Sequence, residues 1–145
     1  MRNTLWGMVL AVGGLAGALP ATAQVQIDNN GPTCVESDDP RCTFSATVTT
    51  DYDFDLNLKV YHNSVLKHDR TTFVVNDGPS YNYSEVVTIS GWGLATGDSL
   101  LFRSKATLTE GPYQGSYATD NHTVTVSSPG TCFRERRREP GWRWV

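Results

Sequence analysis

The residues of this chain best suited to chemistry are tyrosines gathered near turns. Five of the six tyrosines, Tyr52, Tyr81, Tyr83, Tyr113 and Tyr117, fall within Asp51 to Phe54, Asp77 to Tyr83 and Glu110 to Tyr117. Tyr combines broad, fairly rigid contact area with a hydroxyl at its tip, and the Ser, Gly and Asn interleaved here supply adaptable hydrogen bonds, as in antibody-like paratopes. The pattern points to non-covalent recognition of a protein or glycan through these five rings. Packing is the competing reading, because Tyr is also a good strand residue.

Carboxylates accompany the rings. Asp51, Asp53 and Asp55 alternate, and an oxygen-rich turn suits a hard cation such as Ca2+. A helix-loop-helix calcium site is excluded, since the sixth position lacks Gly and the twelfth holds His62 instead of Glu. What is left is a loop-type site shared by Asp51, Asp53 and Asp77 or Glu110, set against a solvated acidic loop. No other cofactor is indicated.

Catalysis finds no signature. His62, His68 and His122 are scattered, each with a polar neighbour that suits an exposed strand position, and no Gly-x-Ser-x-Gly occurs. No carboxylate pair stands out for glycoside hydrolysis. The expectation is a non-enzymatic binding or adhesion module. Its rivals are a structural or accessory domain without a ligand, a peptidase inhibitor inserting Tyr113 to Tyr117 into an active site, and a small exported hydrolase.

Cys34, Cys42 and Cys132 lack a His at zinc-ligand spacing, so a disulfide is expected between two of them in an oxidising compartment. Cys34 and Cys42 would close a small loop around Val35 to Arg41, and a bond to Cys132 competes. One thiol is left over. If it is Cys132, near the end of the chain, a disulfide-linked homodimer follows.

The elements that must position these residues are strands. Short runs rich in Val, Thr, Tyr and Phe alternate with period two between turn residues, and no helical stripe competes. In Asp55 to Tyr61 every second side chain is aliphatic, so Leu56, Leu58 and Val60 face a core. Seven strands are predicted: Val25 to Asp28, Thr43 to Thr50, Asp55 to His62, Val65 to Val75, Tyr83 to Ser90, Ser99 to Thr109 and His122 to Ser127. Asn76 to Pro79, Gly91 to Gly93, Thr96 to Asp98 and Glu110 to Pro112 supply turns between them. The fold class is all-β, an antiparallel two-sheet sandwich.

Thr43 to Ser127 resembles an immunoglobulin or fibronectin type III module. The best local match is Trp92 to Ala106, similar to the family's turn into the sixth strand: Leu94, a small turn with Gly97, then a strand reaching Ala106. The strand order this resemblance implies sends alternate loops to opposite poles. One pole then gathers the three Tyr-bearing segments, and the other gathers the three cysteines.

The ends of the chain read differently. Arg2, a Gly-broken apolar run from Leu5 to Leu19, Pro20 and Ala21-Thr22-Ala23 form a secretory signal over residues 1–23, compact in the manner of bacterial signals. That places the domain, residues 24–130, in a secreted or periplasmic setting. No second apolar stretch follows, so no integral membrane span is expected. Residues 24–131 carry six Lys/Arg against thirteen Asp/Glu, net −7, which argues against nucleic acid as a partner. Residues 131–145 form a basic tail in which Arg134, Arg136, Arg137, Arg138 and Arg143 join Trp142 and Trp144. That cluster reads as an anion or membrane-surface patch, or as a disordered, solubilising end. Asn82-Tyr83-Ser84 and Asn121-His122-Thr123 fit the glycosylation triplet, which matters only in a eukaryotic host.

Overall fold

Period-two alternation builds every element of this molecule, whose computed structural model describes residues 24–132. Seven strands form: β1 (Val25–Asn29), β2 (Arg41–Thr50), β3 (Phe54–His62), β4 (Val65–Val74), β5 (Ser80–Thr88), β6 (Ser99–Leu108) and β7 (Tyr117–Thr125). β3 shows the cause most plainly. Phe54, Leu56, Leu58 and Val60 are buried on one side, and the polar residues between them lie on the other. Each such side chain contributes about 1.5–3 kcal/mol of transfer free energy before the ordering entropy is charged against it.

Two antiparallel sheets result, one ordered β1-β2-β5 and the other β4-β3-β6-β7. This is an immunoglobulin-like sandwich. Between the sheets Phe44 of β2 meets Phe102 of β6 edge to face, with ring centroids 5.1 Å apart. The same buried core includes Val48, Leu58, Leu100, Ala106 and Ile89. Among the described residues no helix is long and apolar enough to cross a membrane.

The β3–β4 turn needs only Asn63 and Ser64, both at positive φ, the primed geometry that matches the twist of a two-residue hairpin. Asn63 then ties this turn to β6. Its N–H donates to the Ser99 carbonyl at 2.9 Å, and its Oδ1 accepts the Ser99 N–H at 2.8 Å.

The two flanks of the sandwich close differently. β1 lies across from β6 and β7, where Asn29 of β1 donates from Nδ2 to the Phe102 carbonyl at 2.9 Å. On the other flank β4 and β5 are both sheet edges, and side chains bridge them. Glu85 of β5 accepts hydrogen bonds from His68 of β4 and from the Tyr83 hydroxyl, the latter at 3.1 Å, with Arg70 Nε 3.8 Å away. The Glu85 side chain is only 7% exposed.

Strand boundaries depart from expectation by two residues or more at the starts of β2, β5 and β7 and at the ends of β5 and β7. β7 starts at Tyr117, not His122, because Asp120 faces inward and bonds to Asn29, which breaks the apolar alternation. β5 starts at Ser80, not Tyr83, and β2 at Arg41, not Thr43.

Of the two disulfides weighed from the sequence, the one that forms joins Cys34 to Cys132, with Cα atoms 5.7 Å apart, and Cys42 keeps its thiol. The small Cys34–Cys42 loop is not made, for two geometric reasons. Cys42 sits on β2 with its side chain turned towards the core, while an isolated bridge between Glu36 and Ser127 carries the neighbouring backbone beside the end of the chain. The dimer argued from a spare Cys132 loses its premise. The signal over 1–23 and the tail residues Arg134, Arg136, Arg137, Arg138, Arg143, Trp142 and Trp144 lie outside the described residues.

Candidate functional site

Three loops meet at one pole: residues 51–53, 75–79 and 109–116. They are cross-linked by their own hydrogen bonds. Glu110 Oε2 accepts the Asp53 N–H at 2.9 Å, and Asp53 Oδ1 accepts the Asn76 N–H at 2.9 Å. Asn76 Nδ2 donates to the Thr50 carbonyl at 2.6 Å, and the Thr109 N–H donates to the Asp53 carbonyl at 3.0 Å. Asp53 therefore stands at the centre, fixed by both neighbouring loops, while Asp51 and Asp77 are exposed on either side.

The longest loop is shaped by glycine. Gly111 holds φ +85°, and a Cβ there would lie 2.7 Å from the Tyr52 ring, so the chain crosses directly over that ring. Gly115, at φ +95°, donates its N–H to the Leu108 carbonyl at 2.9 Å and closes the loop onto β6.

The structure separates the five nominated tyrosines by place and by exposure: Tyr52 lies at the pole under Gly111, Tyr83 on the β4–β5 flank beside Glu85, and Tyr117 on the outer sheet face. Tyr52, Tyr81, Tyr83 and Tyr113 are half-buried and pack against the core. Tyr81 sits edge-on to Phe54 at 5.9 Å and stacks with Tyr83 at 6.5 Å. Tyr117 is 50% exposed and lies on the outer face of the four-stranded sheet under Lys105 Nζ, 4.5 Å from the ring centroid. The rings that pack against the core are therefore only partly open to a ligand.

Among the described residues the carboxylates whose oxygens lie within 4.8 Å of one another are Glu36, Asp38 and Asp39, in the β1–β2 connection. Two of them are already committed. Asp39 Oδ2 accepts the Glu36 N–H at 2.8 Å, and Glu36 Oε2 accepts the Cys132 N–H at 2.7 Å.

None of the three histidines is fully exposed, and each has a defined partner. His62 Nε2 bonds Asp98 Oδ2 at 2.8 Å, His68 bonds Glu85, and His122 Nε2 bonds the Pro32 carbonyl at 2.9 Å. The His62 hydrogen bond, with the Ala95 N–H as second donor, holds the Asp98 carboxyl down at about 2. Burial, reinforced by Asp39, pushes the Cys42 thiol up to about 11. Cys42 is thus a protonated, half-buried thiol and a poor nucleophile at neutral pH. Asn82 and Asn121 are exposed, with their side-chain carbonyls bonded to Thr47 and Arg103.

The sequence reading did not find the Glu85 cluster, the Asn29–Asp120 bridge, or the cation–ring pairs Arg103–Tyr61 and Lys105–Tyr117. Each depends on register between strands distant in the chain. Outward alternation along β6 was the one available signal, since it sets Arg103 and Lys105 on the same face.

No protein-family model and no curated protein matches this chain. Among solved structures it is similar to the crystal structure of the CARDB domain of the PF1109 protein, in complex with di-metal ions, from Pyrococcus furiosus. That likeness covers 72% of this chain and 93% of the other, at 17% identity and a TM-score of 0.37.

Proposed function

We propose that this chain is an exported, non-catalytic binding module that recognises a protein or glycan through the pole formed by residues 51–53, 75–79 and 109–116. The observation that carries the reading is the Glu110–Asp53–Asn76 hydrogen-bond chain, which locks three loops into one platform before any ligand arrives. Preorganised loops lose less entropy on binding, and half-buried tyrosine edges offer area and hydroxyls at low rotamer cost. The intrachain disulfide supports an oxidising compartment, secreted or periplasmic. A structural or accessory role is the second reading, favoured by the packing of Tyr52, Tyr81, Tyr83 and Tyr113 against the core.

Capture of partners from the native extracellular medium separates the two. Asp77→Ala with Gln114→Ala removes exposed loop groups, and Tyr81→Phe with Tyr113→Phe removes hydroxyls while keeping the rings in place. Loss of captured material at unchanged thermal stability supports recognition. Equal recovery by every variant and the wild type leaves the structural reading. Repeating the capture with calcium or a chelator reports on Asp51, Asp53 and Asp77 as a cation site.

A further inference from the structure

The charge of this molecule is sorted between its sheets. Residues 24–131 carry a net −7, yet five of their six cations, Lys59, Lys67, Arg70, Arg103 and Lys105, lie on the four-stranded sheet. The strands of that sheet carry three carboxylates: Asp55, Asp69 and Asp120. Asp69 accepts from Asn57 Nδ2 at 2.8 Å, and Asp120 Oδ2 accepts the Asn29 N–H, also at 2.8 Å.

β6 runs through the middle of this sheet and turns Arg103 and Lys105 outward, two residues apart, hence about 6.7 Å along the strand. A tyrosine from each flanking strand lies beneath one of them. Arg103 Cζ stands 5.3 Å from the Tyr61 ring centroid, and Lys105 Nζ stands 4.5 Å from that of Tyr117. Arg103 Nε also donates to Asn121 Oδ1 at 3.3 Å. Among the described residues neither cation has a carboxylate within 4.0 Å. Both positive charges are held in place by rings and amide, and their electrostatic demand is left for a ligand.

The surroundings narrow the ligand's chemistry. The register sets Asn57 and Thr119 beside Lys105, Lys59 and Asn121 beside Arg103, and Thr107 between Asp55 and Tyr117. The strip from Leu101 to Thr107 is about 20 Å long, and it offers cations, ring edges, amides and hydroxyls. An acidic peptide would want an apolar pocket for an anchoring side chain, and a duplex would have to approach a body of net −7. A chain of sugars bearing carboxylates or sulfates needs what is present: spaced cations for its anions, and neutral polar groups and rings for its hydroxyls and sugar faces.

We propose that the outer face of the four-stranded sheet binds an acidic polysaccharide laid along β6, with Arg103 and Lys105 pairing with its anionic groups and Tyr61 and Tyr117 flanking them. This surface is separate from the loop pole, so loop variants leave it intact and the two readings fail independently.

The test is affinity electrophoresis of the full chain through gels containing polygalacturonate, dextran sulfate, neutral dextran or duplex DNA. Retardation by polygalacturonate or dextran sulfate is expected, weakening as salt rises, with none by neutral dextran. The two acidic probes separate carboxylate from sulfate preference. Arg103→Gln with Lys105→Gln should weaken binding about tenfold or more, the scale of one or two charge-assisted contacts. Tyr61→Ala and Tyr117→Ala should each weaken it several-fold. Arg41→Glu makes the same two-unit change in net charge on the other sheet, away from the strip, and should leave binding within about twofold. Where a variant shifts the melting temperature, Arg103→Lys keeps the charge and should recover most of the binding. No retardation by either acidic polymer overturns the proposal. So does undiminished binding by the Arg103/Lys105 variant, an equal loss in the Arg41→Glu control, or tighter binding to DNA than to either polymer.

Discussion

Asn29 and Asp120, 91 residues apart in the chain, join the two sheets through a pair of hydrogen bonds: the Asn29 N–H donates to Asp120 Oδ2 at 2.8 Å, and Asn29 Nδ2 donates to the Asp120 carbonyl at 3.3 Å. The same buried amide donates to the Phe102 carbonyl at 2.9 Å and accepts the Gly31 N–H at 3.0 Å. Asn29→Ala leaves that carbonyl and that N–H unmatched in a dry interior. A loss of about 1–3 kcal/mol is expected. Thermal denaturation of the variant should show a melting temperature lower by several degrees; a drop under about one degree would mean water replaces the amide.

Glu85 is the corresponding tie on the opposite flank. Glu85→Ala removes the acceptor shared by His68 and the Tyr83 hydroxyl, for an expected loss of about 1–3 kcal/mol. Glu85→Gln keeps one oxygen and should lose less. Arg70, 61% exposed and 3.8 Å away, adds little, so Arg70→Ala should fall within about 0.5 kcal/mol of wild type in urea unfolding.

Gly111 and Gly115 offer a matched pair within one loop. Both have positive φ, but an added Cβ meets the Tyr52 ring at 2.7 Å only at Gly111. Gly115→Ala should cost about 1 kcal/mol of backbone strain, and Gly111→Ala clearly more. Chemical-shift changes at Tyr52, Asp53 and Asn76 should appear with Gly111→Ala alone.

The legible part of the fold is the part governed by neighbours in sequence. Leu56, Leu58 and Val60 alternate on β3, and all three are buried. The turns at 76–79 and 96–98 fall between strands as their residues require. The unread part lies in contacts across the sandwich. Asp120 and Glu85 are polar residues facing inward, so the alternation that marks β7 and β5 is interrupted by the very residues that join the sheets. The disulfide was legible only as alternatives, because Cys34 and Cys42 are near in sequence while the partner of Cys34 is set by how the β1–β2 connection lies against the segment after β7. At the loop pole, composition located the tyrosines but not their exposure, which depends on Gly111 crossing Tyr52 and on Phe54 meeting Tyr81.

The cysteines should behave oppositely towards reagents. Cys42 should react with a thiol reagent slowly in the folded protein at neutral pH and rapidly once unfolded. Its raised value favours the protonated, folded form below about pH 9, and that contribution fades as pH rises through about 11. Reducing Cys34–Cys132 opens a loop with a sequence separation of 98, worth up to about 4–5 kcal/mol on the chain-entropy model. A denaturant midpoint unchanged by reductant would contradict the bond's structural role.

Asp98 contributes one step to the acid limb. Its carboxyl, lowered to about 2 by His62 and the Ala95 N–H, stabilises the fold above its ordinary value of 3.8, and that stabilisation is lost as pH falls through about 2. In Asp98→Asn the part of the acid transition between about pH 4 and 2 that comes from this group should disappear. A carboxyl signal of Asp98 titrating near 4 in wild-type protein would contradict it.

Tension applied between Gln24 and Cys132 would meet the covalent bridge before it met most of the sandwich. Gln24 adjoins Thr50 at the loop pole, whose hydroxyl donates to its carbonyl at 2.6 Å, and Cys132 is bonded to Cys34. A pull at the two ends therefore passes through sulfur from Cys132 to Cys34 and loads the segment from Gln24 to Cys34, which contains β1 alone. Six of the seven strands lie inside the bridged loop and bear no load in series. Peeling β1 from β2 could release only those few residues, on the order of 35 Å of chain. A single molecule stretched between these points would yield a short first extension and then hold, and it would give up its full contour length only after reduction.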